Sequence, residues 1–120
     1  MLKRTFTLAL FSLIIQMSFG QIVINEFLVD ANTVELKNLG TEDVDVSGYF
    51  LCSFPAYSQI GNLTLFGDDF VLQPGEIIAV AGHPLSNDDE LGLYTLPQYT
   101  NSAAIIDYVE WGSSNHQRAM

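Results

Sequence analysis

The chain has 120 residues, enough for one domain, and carries 14 acidic against 4 basic side chains, a formal net charge of -10. That balance repels phosphate backbones and anionic lipid, so neither nucleic-acid binding nor electrostatic membrane attachment is expected. Apolar residues make up 48% of the chain, too many for a disordered acidic tail, and one cysteine, Cys52, excludes an internal disulfide framework or a multi-cysteine zinc site.

Lys3 and Arg4 open the chain, Thr5 to Ile15 is almost wholly apolar, and small residues stand at Ser18 and Gly20. A charged start, a short apolar run and small residues at the -3 and -1 positions describe a signal peptide, residues 1–20, cleaved after Gly20. The apolar run of 11 residues is shorter than a bilayer-spanning helix requires. Gln21 rather than a cysteine follows the cleavage point, so lipid anchoring has no support. The expectation is an exported product, extracellular, cell-surface or periplasmic, with one domain over residues 21–120 and no membrane-spanning segment after cleavage. Without Lys3 and Arg4 the remaining chain holds 2 basic and 14 acidic side chains, a net charge of -12.

From Gln21 onward the apolar period is two rather than 3.6. Ile22, Ile24 and Glu26 alternate with Val23, Asn25 and Phe27, and Val34, Leu36 and Asn38 alternate with Glu35 and Lys37. Asp30-Ala31-Asn32 and Leu39 to Asp43 have turn composition, the second leading into Val44 and Val46. Ser47-Gly48 precedes a strand at Tyr49 to Cys52, with Gly48 read as the point where the chain bends past a neighbour. Residues 54–61 contain Pro55 and Gly61 and read as a loop. Leu63 to Phe66 and Phe70 to Leu72 flank Gly67-Asp68-Asp69, the composition of a hairpin. Gln73-Pro74-Gly75-Glu76 is a turn before the apolar run Ile77-Ile78-Ala79-Val80-Ala81. Residues 84–90 form a polar, acidic loop, Leu91 to Leu96 a short strand, and Ala103 to Trp111 the last strand, with Trp111 placed to cap the core. About seven short strands with turns between them indicate an all-β, immunoglobulin-like β-sandwich.

Five segments in this order resemble the lamin-tail domain family: Ile22 to Phe27, Val34 to Asn38, Val46 to Leu51, Leu72 to Gly75 with the apolar run after it, and Ile106 to Gly112. The resemblance covers nearly all of residues 21–120. It implies an immunoglobulin-like sandwich of the kind found in nuclear lamins and many exported bacterial proteins, and a binding or tethering role without catalytic residues. In bacteria such domains accompany exported hydrolases and are thought to hold them at the envelope. This sequence departs from that pattern by stopping at Met120, soon after the late strand, where bacterial relatives usually continue. Two readings stand, a minimal stand-alone domain or a longer protein cut short.

The function expected is therefore a non-catalytic binding or anchoring module whose partner is another secreted or envelope protein, or a surface glycan. An exposed strand edge or an apolar patch on a sheet face would be the physical means. Phe54, Tyr57, Tyr94 and Tyr99 are the candidate binding residues, because aromatic side chains give large contact area at small entropic cost. Cys52 with His83 and His116 supplies the residue types of a thiol nucleophile and base, but Cys52 lies in an apolar strand and reads as core. The two histidines read as solvent-facing loop residues. Asn62-Leu63-Thr64 fits a glycosylation sequon and is taken as a strand end. Glu26 and Glu35 are expected to face solvent or accept backbone N–H groups. The alternative from another class is a carbohydrate-binding module stabilised by calcium. It would use Asp88, Asp89 and Glu90, whose oxygens are of the hard type calcium prefers, with Tyr94 or Tyr99 as a stacking platform. No other cofactor is expected.

Overall fold

The computed structural model describes residues 21–113. The expected leader, residues 1–20, and the tail containing His116 lie outside them. The described residues form ten strands and one 3-10 turn. The strands are β1 (Ile22–Leu28), β2 (Thr33–Asn38), β3 (Val44–Asp45), β4 (Phe50–Ser53), β5 (Ala56–Gln59), β6 (Thr64–Phe66), β7 (Val71–Leu72), β8 (Ile77–Ala81), β9 (Asp89–Tyr94) and β10 (Ile105–Trp111). The protein is all-β. One four-stranded antiparallel sheet has the order β1-β2-β8-β6, a second has the order β10-β9-β4-β5, and β3 and β7 form a short ribbon.

The two large sheets bury their facing sides against each other as a β-sandwich. Val34 and Leu36 of β2 and Ile78 and Val80 of β8 meet Leu51 of β4 and Leu91 and Leu93 of β9 in one apolar cluster, all fully buried or nearly so. Alternation places the intervening residues, Glu35, Lys37, Ile77, Ala79 and Ala81, on the opposite side of the first sheet.

Strict alternation would carry Glu26 into the core with Ile22 and Ile24. A bulge in β1 prevents this: Ile24 pairs with Leu36, Glu26 with Glu35 and Phe27 with Val34, so Asn25 is the extra residue. Phase is reset, Ile24 and Phe27 both pack on the core, and Glu26 is exposed. Glu35 accepts a hydrogen bond from the Asn25 amide at 2.9 Å. A second bulge at Ile106 lets Ile105 pack outward beside Tyr94 while Ile106 packs inward.

These two bulged strands are the outer strands of their sheets and lie side by side. The Ile24 N–H donates to Asp107 Oδ2 at 2.7 Å, so a carboxylate takes a backbone donor that a neighbouring strand would otherwise satisfy. The Phe27 and Trp111 rings stack with centroids 4.4 Å apart, and Trp111 Nε1–H donates to the Ser86 carbonyl at 2.8 Å. Trp111 thus caps one side of the sandwich, as its place at the strand end suggested. A groove of about 350 Å³ runs along this seam, lined by Ile24 to Phe27 and Val109.

Asn38 ends β2 and is fully buried. Its side-chain amide donates to the carbonyls of Glu42 at 2.7 Å and Leu72 at 2.8 Å, and its Oδ1 accepts the Gly40 N–H at 2.8 Å. Its backbone accepts the Gly75 N–H at 2.7 Å and donates to the Glu76 carbonyl at 3.1 Å. The Gln73-Pro74-Gly75-Glu76 turn closes with a Glu76 N–H to Gln73 carbonyl bond of 2.9 Å, and Gly75 has φ 80°, the conformation that excludes most side chains.

Three local expectations are corrected. Residues 54–61 are not a loop: β5 pairs with β4 through Phe50↔Gln59 to Ser53↔Ala56, and Ile60–Asn62 is the 3-10 turn. Gly67-Asp68-Asp69 does not close a hairpin. β6 pairs with β8 and β7 with β3, so this segment carries the chain from the first sheet to the ribbon. Gly48 has open space around its missing side chain. The close approach is at Gly61, where a Cβ would lie 2.8 Å from the Ser47 carbonyl oxygen, which already accepts the Gly61 N–H.

Asn38→Ala removes both amide donors and leaves two inward carbonyls unpaired, each costing about 1–3 kcal/mol. At about 4–8 °C per kcal/mol for a domain of this size, the melting temperature followed by circular dichroism should fall by roughly 10 °C or more. Lys37→Ala, one residue earlier and facing outward, should leave it nearly unchanged.

Candidate functional site

The four aromatic candidates come together on the outer face of the second sheet. Cys52 and Tyr57 pair across β4 and β5 and point outward with Tyr94 of β9, while Leu51 and Ser58 point inward. Residues 95–104 fold back over this face, and Tyr99 is the centre of the cover. The Tyr99 N–H donates to Tyr57 Oη at 2.9 Å, its carbonyl receives the Tyr94 hydroxyl at 3.4 Å, and its ring lies 4.1 Å from that of Phe54. Cys52, Tyr94 and Ala104 form a small second core beneath it. Burial raises the Tyr57 hydroxyl pKa above its ordinary value.

This arrangement divides the four. Tyr94 is 0% exposed and meets no ligand while the cover is in place. Tyr57 and Tyr99 spend polar groups holding the cover, and Phe54, 43% exposed, offers its ring to solvent. Cys52 is buried in this second core, as its apolar strand suggested.

The three acidic candidates do not converge. Asp88 accepts the Ser113 N–H at 3.0 Å and the Ser113 hydroxyl. Gly112, with φ 84°, lies so close to Asp88 that a Cβ would come within 2.9 Å of its Cα and carboxyl, so this crossing needs glycine. Asp89 accepts the N–H groups of Ser86 and Glu90. Glu90 corrects the expectation of a loop carboxylate: it lies in β9 and is buried on the outer side of the second sheet, where its Oε2 accepts the Tyr108 hydroxyl at 2.7 Å; Glu110 Oε2 lies 3.1 Å from the same hydroxyl. Burial, then the two carboxylates, hold that hydroxyl well above its usual pKa. Among the described residues no group of three or more His, Cys, Asp or Glu side chains is placed to hold a metal ion.

His83 corrects the expectation of a solvent-facing loop histidine: it is completely buried. Ser53 follows Leu51 by two residues and so points inward, as does Ser58 opposite Leu51. The chain leaving β8 inserts the imidazole between them, with Nε2 2.9 Å from Ser53 Oγ and Nδ1 2.8 Å from Ser58 Oγ. Ser53 Oγ–H donates to the Glu90 carbonyl at 2.7 Å, so its oxygen must accept from Nε2–H, and Nδ1 must accept from Ser58. At Ser53 the imidazole donates and the hydroxyl accepts, whereas Ser58 gives its proton toward Nδ1. The histidine joins the end of β8 to β4 and β5, with both ring nitrogens used in the neutral form. Cys52, adjacent to Ser53, points away from it.

Burial lowers the His83 pKa from 6.5 to about 4. The sequence signal for this network was the serine at an inward strand position, a buried hydroxyl that needs a partner.

The outer face of the first sheet is different in kind. Its rows run Val23–Lys37–Ile77, Glu26–Glu35–Ala79–Phe66 and Leu28–Thr33–Ala81–Thr64. Leu28, Phe66 and Ile77 are among the most exposed large apolar side chains of the described residues. No protein-family model matches the sequence, and no curated protein matches it either.

The native state holds His83 neutral, whereas the unfolded chain takes up a proton below pH 6.5. Stability present above that pH should therefore fall by about 3 kcal/mol as pH drops to about 4 and then level off. Denaturant unfolding at pH 7 and pH 4.5 measures this, and His83→Gln should have lower stability at pH 7 and a flatter dependence across the same window.

Proposed function

We propose that the chain is an exported, non-catalytic binding or anchoring module of the cell envelope or extracellular space, of the lamin-tail type that its segments resemble. The observation that carries this reading is the exposed apolar strip on the outer face of the first sheet, where Phe66 and Ile77 stand at 58% and 45% exposure. Contiguous apolar surface of this kind on a small domain is characteristic of an interaction site. The Ser53–His83–Ser58 network is consistent with this reading, because the imidazole is fully buried and both its nitrogens bond side chains of β4 and β5. The leader-like residues 1–20 supply the route outward, and a net charge of -12 on the remaining chain suits a soluble acidic product.

Production of the full chain in a bacterial host with an intact export pathway tests the reading. The expected product begins at Gln21 by mass spectrometry and is recovered outside the cytoplasm. A cytosolic product that retains Met1 to Gly20 would overturn it.

A further inference from the structure

β8 has the sequence of a strand covered on both faces. Ile78 and Val80 fill the space between the sheets, and Ile77, Ala79 and Ala81 point the other way. An antiparallel strand with one wet face carries polar side chains on that face, and none of these three is polar. The apolar strip continues sideways, because Phe66 of β6 stands opposite Ala79. On the second sheet residues 95–104 roof the outer face, whereas here Ile77 and Phe66 remain open to solvent.

Charge states what kind of surface would cover it. Glu26 and Glu35 oppose each other across β1 and β2, and Glu35 in turn stands opposite Ala79. Like charges directly across two strands repel, and the group that Glu35 holds is the neutral Asn25 amide. Lys37, one step along the same face, is the single lysine or arginine among the described residues. A second copy of this chain would bring a net charge of -12 against -12 beyond the leader.

We propose that the strip formed by Ile77, Ala79, Ala81 and Phe66, bordered by Glu26 and Glu35, is a docking surface for a protein segment whose apolar side chains alternate with lysine or arginine. This deepens the binding-module reading and rests on it. The apolar side chains complete the cover that β8 lacks, and the cations meet the facing carboxylates.

Fluorescent synthetic peptides test it against the chain as exported: alternating leucine and lysine, alternating leucine and glutamate, and alternating serine and lysine, with binding followed by anisotropy at low and high salt. The leucine–lysine peptide is expected to saturate and the other two to bind far more weakly. The double variant Phe66→Ser/Ile77→Thr should lose about tenfold or more in affinity, as expected for two apolar contacts. Glu26→Gln/Glu35→Gln should weaken binding severalfold and flatten its salt dependence. Leu96→Ser, on the roof of the other sheet, should have no effect. Ala79→Lys adds a cation to the strip opposite Glu35 without removing a core atom, so it reports on the surface even if the double variant unfolds; it should repel the peptide's lysines and abolish saturation. Equal binding of the serine–lysine peptide, or undiminished binding by the strip variants, would overturn the proposal. A concentration-dependent dimer in sedimentation that Ala79→Lys dissolves would assign the face to a second copy and overturn it as well. Peptide failure with normal export rejects this surface alone, whereas failed export rejects the anchoring reading and leaves the peptide result standing.

Discussion

The buried Asn38 side chain is the constraint on which the arrangement of the sandwich depends. It stands at the end of β2, where the first sheet must hand the chain to the β3–β7 ribbon, and its amide binds one carbonyl from each side of that junction. The same residue's backbone holds the Pro74-Gly75 turn that aims β8 back alongside β2. A buried amide has two donors and an acceptor to place, and here each has a protein partner. Loop, ribbon and turn are thereby set at one point, and β8 enters the sheet in the register that puts Ile78 and Val80 inward.

His83 does at the other end of β8 what Asn38 does near its start. Both are polar residues at zero exposure whose hydrogen-bonding capacity is used on different strands. β8 is short and wholly apolar, so nothing in its own five residues specifies which face turns inward. The two polar anchors on either side supply that specification, and they leave Ile77, Ala79 and Ala81 on the outside. The exposed strip is therefore a consequence of the same bonds that order the core.

The bulges at Asn25 and Ile106 solve a related problem at the seam. Two outer strands must lie beside each other without forming a continuous sheet, and each must keep apolar residues inward across a break in alternation. Asn25 lets Glu26 leave the core side, and Ile106 lets Asp107 reach the Ile24 N–H. The seam then closes on the Phe27–Trp111 stack, so the donors of β1 are less available for edge-to-edge pairing.

Alternating apolar residues, turn composition and Pro-Gly placement determined the all-β class, most strand positions and the inward phase of Val34 and Leu36, because these depend on neighbours one to four residues away. The sequence alone also placed Cys52 in an apolar environment and Trp111 at the edge of the core. Pairing partners were decided by tertiary structure. The Gly67 segment has the composition of a hairpin, yet β6 and β7 join different neighbours, since strand pairing is a contact between residues far apart in the chain. Burial of His83 could not be read at His83 itself: the inward serine position signals that some partner is needed, but nothing near the histidine in sequence shows that Ser53 and Ser58 will meet it. The aromatic quartet was legible as residue types, but only the roof formed by residues 95–104 made Tyr94 a core residue and left Phe54 exposed. The apolar strip has the same origin: composition marks β8 as apolar throughout, and only packing decides which of its two apolar faces the protein itself covers.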